Sequence, residues 1–172
     1  MSPENSIASN ELSVKILEES DDLTVFDCSQ DDALEVNEFI HSEAIQYQKE
    51  KLGVTHLFLY ENRVIGFATL AMSEIEIKEA PSLLSFKTEI RNYPALLIGQ
   101  LAVHNNYRGR HVGRSICLFC LETAKRLSKE IGCKLVVVFT EEGHDGFYEK
   151  CGFQVISKYQ NKKKKWMYIQ VP

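Results

Sequence analysis

The chain reads as a mixed α/β fold built on a single sheet, and three stretches carry that reading. Residues 96–103 form a buried strand that runs through a polar turn rich in Asn, Arg and Gly into the first turn of a long amphipathic helix. Residues 54–60 and 64–72 are rich in aliphatic and aromatic side chains and flank Glu61-Asn62-Arg63, the pattern of a β-hairpin. Residues 135–139 are a continuous apolar run, typical of a strand covered on both faces.

The remaining elements follow in chain order. Residues 1–11 are polar and aperiodic, which predicts a loosely ordered tail without a part in function. Residues 13–17 suit a short strand, and residues 21–29 a loop anchored by Leu23, Val25 and Phe26. Ser29 and Asp32 have capping-box spacing. Val36, Phe39, Ile40, Ala44 and Tyr47 follow at helical intervals, and Gly53 is placed to end this amphipathic helix or pair of short helices. Residues 81–92 break the strand pattern and carry Leu83, Leu84, Phe86 and Ile90, which predicts a short helix or ordered loop over one side of the sheet. Pro94 then restarts extended chain. Beyond the central strand, Val112, Ile116, Phe119, Cys120, Thr123, Leu127 and Ile131 keep helical spacing up to Gly132, a fitting C′ glycine. A short helix over 145–150 ends at Gly152, and residues 153–157 and 165–171 make two closing strands.

With 172 residues, 44% of them hydrophobic, the chain is long enough for one domain, 1–172, with a core that needs no disulfide or metal. Five cysteines without scaffold-like spacing fit a reducing compartment. There is no signal peptide and no apolar run near the roughly 18 residues of a membrane span, so a soluble, cytoplasmic protein without a membrane partner is expected. Charge is uneven: residues 1–50 hold 2 Lys/Arg against 13 Asp/Glu, residues 51–100 hold 5 against 5, and residues 101–172 hold 13 against 6. Anion binding therefore belongs to the C-terminal part.

The turn after the central strand has the makings of an anion cradle. A helix start leaves backbone N–H groups without intrahelical partners and carries partial positive charge, so a small-residue loop there can wrap a phosphate. Arg108, Arg110 and Arg114 add formal charge. Neither Gly-x-x-x-x-Gly-Lys-Ser/Thr nor Gly-x-Gly-x-x-Gly is present, which disfavours P-loop and Rossmann chemistry.

These residues, with Phe147-Tyr148-Glu149-Lys150-Cys151-Gly152-Phe153 about 35 positions later, resemble the GCN5-related N-acetyltransferase (GNAT) family over most of the chain. The family's phosphate loop, Gln/Arg-x-x-Gly-x-Gly/Ala, corresponds to Arg108-Gly109-Arg110-His111-Val112-Gly113, with His111 in place of the first glycine. Phe26-Asp27-Cys28, Tyr47-Gln48-Lys49 and the run from Tyr93 to Val103 are similar to the branch that includes toxin-antitoxin acetyltransferases acting on aminoacyl-tRNA. The resemblance implies a GNAT-like single mixed sheet, helices on both faces, splayed at the central strand by a bulge. It implies transfer of acetyl from acetyl-CoA, a co-substrate, to an amine by direct attack in a ternary complex, without metal. Leu101, Ala102 and Val103 would then face the pantetheine arm, backbone N–H and C=O of Leu101 and Val103 meeting its amides and an N–H supporting the oxyanion. Arg108, Gly109, Arg110, His111, Val112, Gly113, Arg114 and Ser115 would hold the pyrophosphate. Tyr148 would be the acid for the departing thiolate.

Each assignment has a plainer rival. Tyr148 next to Phe147 also suits a structural tyrosine with its hydroxyl satisfied. Cys117 and Cys120 have Cys-x-x-Cys spacing but lie in a helix with no second pair, so they, like Cys133 and Cys151, read as small core residues. His111 could donate to a phosphate. The run Lys162 to Lys165 is a solvated turn or a contact for RNA or an acidic partner, and the acidic first helix is a solvated face or a selector of cationic substrates. Glu74, Glu76, Glu141, Glu142 or water could be the general base. The acceptor expected first is a small-molecule or protein amine; aminoacyl-tRNA and a non-catalytic CoA-binding module are the alternatives, and a homodimer is left open.

Overall fold

The computed structural model describes residues 6–172 apart from 33, 77–82, 85, 87–88, 142 and 157–163. Its strands are β1 (Ser13–Ile16), β2 (Val54–Tyr60), β3 (Arg63–Glu76), β4 (Asn92–Val103), β5 (Leu135–Glu141), β6 (Gln154–Val155) and β7 (Lys164–Gln170). They form one sheet in the order β1-β2-β3-β4-β5-β7-β6. β2 is antiparallel to β1 and β3, β7 is antiparallel to β5 and β6, and β4 runs parallel to β5, so the sheet is mixed as expected. The helices are α1 (Val36–Glu38) and α2 (Ala44–Lys49), joined by a π-helical turn (Phe39–Glu43), then α3 (Val112–Leu127) and α4 (Asp145–Lys150). No helix among the described residues is long and apolar enough to cross a membrane.

Local chemistry accounts for the turns. Glu61 and Asn62, at φ 49° and 63°, form the two-residue left-handed turn whose twist matches a hairpin, and they close the Tyr60–Arg63 pair. The first helical stretch starts and ends differently from expectation. Asp32 alone caps it, Oδ1 accepting the Val36 N–H and Oδ2 the Asn37 N–H, both at 2.7 Å, because Glu35 turns left-handed at φ 56°. Ser29 instead gives its N–H to Asp27. The stretch ends at left-handed Lys51, with Leu52 N–H on Tyr47 carbonyl and Lys51 N–H on Gln48 carbonyl; Gly53 is needed for space, since a Cβ there would lie 3.0 Å from Tyr47 and 3.1 Å from the Leu70 carbonyl. α3 likewise stops at Leu127, short of Gly132, and Ile131 is 53% exposed. α4 does end at its glycine, Gly152, at φ 93°.

The chain divides into two compact units, residues 1–71 with 99–119 and residues 72–98 with 120–172; β3, β4 and α3 each contribute residues to both. In the first, successive side chains of a strand face opposite sides, so Leu57 and Phe67 join Phe39, Ile40 and Ala44 of the α1–α2 stretch on one face, while Phe58 meets Phe119 of α3 on the other. Helices thus cover both faces of this part of the sheet. Phe26 is buried in the same core, whereas Val25, expected beside it, is 73% exposed. Gly66 lets α3 approach β3: a Cβ there would fall 2.8 Å from Ile116 Cδ1 and 3.0 Å from the Ala102 carbonyl.

The second unit centres on Tyr93, Ala95, Leu135, Val137, Ile156 and Tyr168. β4 pairs with β5 from Ala95–Leu135 to Ile98–Val138, and the register ends there although β4 continues to Val103 and β5 to Glu141, which fits the splay expected at the central strand. Of the segment expected to cover the sheet, Leu83 and Leu84 pack on this core and Leu83 N–H bonds Tyr93 Oη at 3.1 Å; Phe86 and Ile90 are exposed, and residues 81–82, 85 and 87–88 lie outside the described residues.

Gly66→Ala tests how closely α3 is seated. Overpacking of a filled core costs about 1–3 kcal/mol, and at about 2–4 °C per kcal/mol for this size the melting temperature should fall by roughly 2–12 °C. A thermal unfolding curve that coincides with wild type would contradict the close approach.

Candidate active site

In the first unit, the chain leaves β4 at Val103 and is fastened at almost every step before α3 begins. His104 gives its N–H to the Ile65 carbonyl at 2.9 Å; its ring donates from Nε2 to the Val25 carbonyl at 3.0 Å and accepts the Asn106 N–H at Nδ1 at 3.1 Å. Those two contacts require the neutral ring with its proton on Nε2. Asn105 N–H bonds the Asp27 carbonyl at 2.8 Å, and its amide nitrogen the Asp27 carboxylate at 2.9 Å. The Ser29 hydroxyl and N–H, with Asn105, hold the Asp27 carboxyl below the usual carboxylate range.

Arg108 is turned into the same loop. Its Nη2 donates to the carbonyls of Gln30 at 2.6 Å and Cys28 at 3.1 Å, Nε reaches the Val103 carbonyl at 3.5 Å, and Nη1 lies 3.9 Å from Asp31. The guanidinium therefore braces residues 28–31. The backbone that follows alternates: Gly109 at φ 74° and His111 at φ 67° are left-handed, with Arg110 between them outside that region. Alternation of this kind turns successive N–H groups toward one concavity, a nest for anions. Ser115 N–H makes an intrahelical bond to the His111 carbonyl at 3.1 Å, so the N–H groups of Val112, Gly113 and Arg114 belong to the unpaired first turn. Arg114 and His111 are exposed, and Arg110 lies over the Tyr107 ring at 5.5 Å. Val112 is buried and anchors the helix start, while Leu101, Ala102 and Val103 are half-buried at the end of β4. His111, where the resemblance leads one to expect a glycine, has a backbone in the left-handed region that glycine favours.

In the second unit, Tyr148 is 8% exposed, with its ring edge-on to Phe147 at 5.0 Å and Phe153 at 5.6 Å. α4 is held at both ends. Asp145, at its start, is paired with Lys165 and accepts Gly143 N–H at 3.3 Å; the Lys165 ammonium keeps that carboxyl below its usual range. At the other end Phe153 N–H returns to the Tyr148 carbonyl at 3.0 Å and Gly152 N–H to Glu149 at 2.9 Å. Sequence reading missed the Asp145–Lys165 pair and counted Lys165 with a solvated run. Lys162 and Lys163 lie outside the described residues, as does Glu142; Glu74 and Glu76 are exposed and Glu141 is half-buried.

Cys117, Cys120 and Cys133 are buried as expected, and burial pushes the Cys120 thiol up to about 12. Cys28 reaches about 12 for the same reason, so neither is a nucleophile at neutral pH. Among the described residues no group of three or more His, Cys, Asp or Glu could hold a metal.

Known proteins agree with this architecture. The profile of the acetyltransferase (GNAT) domain matches residues 53–155. Glucosamine 6-phosphate N-acetyltransferase 1 of Dictyostelium discoideum is 35% identical over 57 residues, 33% of this chain, and the match spans about a third of that relative's length, 34%. Among solved structures, AtaT complexed with acetyl-methionyl-tRNAfMet has a TM-score of 0.81 at 21% identity, covering 92% of this chain and 94% of the other. A tyrosine-to-phenylalanine mutant of KacT has a TM-score of 0.80 at 21% identity, covering 94% and 95%. At such identities the solved structures speak for the fold. The profile match, over more than half the chain and including the nest at the start of α3, establishes that this protein belongs to the GNAT acetyltransferase family.

Proposed function

We propose that this protein, acting as one catalytic domain, transfers the acetyl group of acetyl-CoA to an amine. The observation that carries the reading is the preformed nest: two left-handed residues, Gly109 and His111, leading into the unpaired N–H groups of Val112, Gly113 and Arg114. In this reading those groups and Ser115 hold the pyrophosphate, with charge from Arg110 and Arg114, while Arg108 braces the loop and supplies long-range field. Backbone groups of Leu101, Ala102 and Val103 receive the pantetheine arm. The amine nitrogen attacks the thioester carbonyl, a C–N bond forms and the C–S bond breaks, the Tyr148 hydroxyl protonates the leaving thiolate, and the nitrogen's surplus proton passes to a base or to water.

The acceptor read first is a small-molecule or protein amine, because acids of residues 1–50 that stay exposed, Glu35, Glu38 and Glu43 among them, attract a cationic amine and repel a polyanion. Aminoacyl-tRNA is the second reading, supported by the fold shared with AtaT in its tRNA complex and by the basic residues of the C-terminal part.

Acetyl-CoA at about a hundred times its Kd should stabilise the protein by about 2.7 kcal/mol, and desulfo-CoA, which keeps the phosphates, should do nearly as well. A thermal-shift titration flat for both contradicts the reading. His111→Gly should leave this affinity intact because the backbone already holds the left-handed shape, whereas His111→Val, β-branched at such a position, should lose roughly tenfold, about 1.4 kcal/mol.

Tyr148→Phe should keep the fold and acetyl-CoA affinity while turnover falls by about 10²- to 10⁴-fold. The measurement is free CoA released against a panel of amines, peptides and charged tRNA. Undiminished turnover would assign the proton to another group.

Salt dependence separates the two acceptors. For an amine enzyme, tRNA binding should be too weak to detect at physiological salt, and replacing Lys162, Lys163 and Lys164 by Ser should leave acetylation unchanged; Lys165 is spared because it holds Asp145. Submicromolar tRNA affinity at low salt that falls steeply with added salt, and less steeply in the triple variant, would select the tRNA reading.

A further inference from the structure

Residues 7–11, expected to trail from the fold, are fastened to the start of α3. Ile7 is 4% exposed and its N–H donates to the Arg110 carbonyl at 3.0 Å. The Ser9 hydroxyl lies 2.9 Å from the Ser115 hydroxyl. Between and beyond these contacts the segment closes on itself: the Glu11 carboxylate accepts Ala8 N–H at 2.7 Å, and Leu12 N–H returns to the Ser9 carbonyl at 3.3 Å around the 3-10 turn Ser9–Glu11. This short closed piece meets the start of α3 through Ile7 and Ser9.

Ile7 and Ser9 bracket the run of donors at the helix start. One falls on Arg110 and the other on Ser115, with His111, Val112, Gly113 and Arg114 between them. In a trans peptide the C=O and N–H point in opposite directions, so holding the Arg110 carbonyl toward Ile7 directs the His111 N–H away from it. Ser115 is also the residue whose N–H closes the first intrahelical bond onto the His111 carbonyl. Both ends of the peptide run that bears the anion-binding donors are thereby set by a segment distant in sequence. Left-handed His111 lacks the ease of glycine at that φ, and an external brace is a means of keeping it there.

We infer that residues 7–11 are a positioning strap for the diphosphate-binding loop: through Ile7 and Ser9 they hold the His111–Arg114 donors in the geometry that receives the cofactor's phosphates, and bound cofactor in turn holds the strap closed. The inference rests on the acetyl-CoA reading and deepens it. Coupling between the two is reciprocal, so tightening one must tighten the other by the same factor.

The test uses the full-length protein with CoA as the probe. Ile7→Ala combined with Ser9→Ala should raise the CoA Kd about tenfold, and Ser9→Ala alone, a change at an exposed side chain, about threefold. In wild type, CoA should slow hydrogen exchange at the Ile7 amide by about tenfold beyond the uniform slowing that ligand binding gives amides exposed only on global unfolding, an excess that a segment serving only the fold would not give. Wild type that binds CoA while Ile7 exchange shows no such excess and Ser9→Ala keeps its affinity within error overturns the strap and leaves the acetyl-CoA reading standing. Wild type that ignores CoA altogether overturns both.

Discussion

The structure depends most on a backbone constraint: the chain must leave the central strand and start a helix within a few residues, with two of them, Gly109 and His111, in the left-handed region. Glycine takes that conformation at no steric cost, but histidine does not. The surroundings over-determine it. His104 and Asn105 fix the entry through Val25 and Asp27, Arg108 braces the adjoining loop, Val112 is buried under the helix start, and Ile7 and Ser9 hold the far side. A strained segment persists where its neighbours leave it no alternative, and such segments concentrate at ligand sites.

The uneven charge of the chain is partly spent inside one unit. The acidic stretch around Asp27, Asp31 and Asp32 is drawn into caps and contacts: Asp32 caps α1, Asp27 binds Asn105, and Asp31 faces Arg108. Arg108 therefore acts through carbonyl oxygens of the acidic segment more than as a free cation. The second unit uses the same economy, since Asp145 and Lys165 bind one another at the start of the helix that carries Tyr148. A tally of charges along the sequence overstates the charge available to a ligand in both places.

Shared fold and shared chemistry are separate inferences for this chain. The GNAT profile spans residues 53–155, which include the strand, loop and helix that position the nest. At 21% identity the likeness to AtaT and KacT speaks for the fold and leaves the acceptor open.

The sequence by itself determined the order of elements, the hairpin, the nest at the start of α3 and the aromatic setting of Tyr148, because each is written in local signals: period-two and helical apolar spacing, turn residues, and a glycine-bearing motif. Even the departure at His111 was legible, as a histidine where the family has glycine. Tertiary structure decided where the first helical stretch stops, since Lys51 took the left-handed end that Gly53 was suited for and Gly53 was needed instead for close packing. It also decided that Val25 is exposed, that Arg108 is a brace, that Lys165 is paired, and that residues 7–11 reach the start of α3. All four depend on partners 20 to about 100 residues away, and no spacing rule within a window of the chain can see a hydrogen bond between residues 7 and 110.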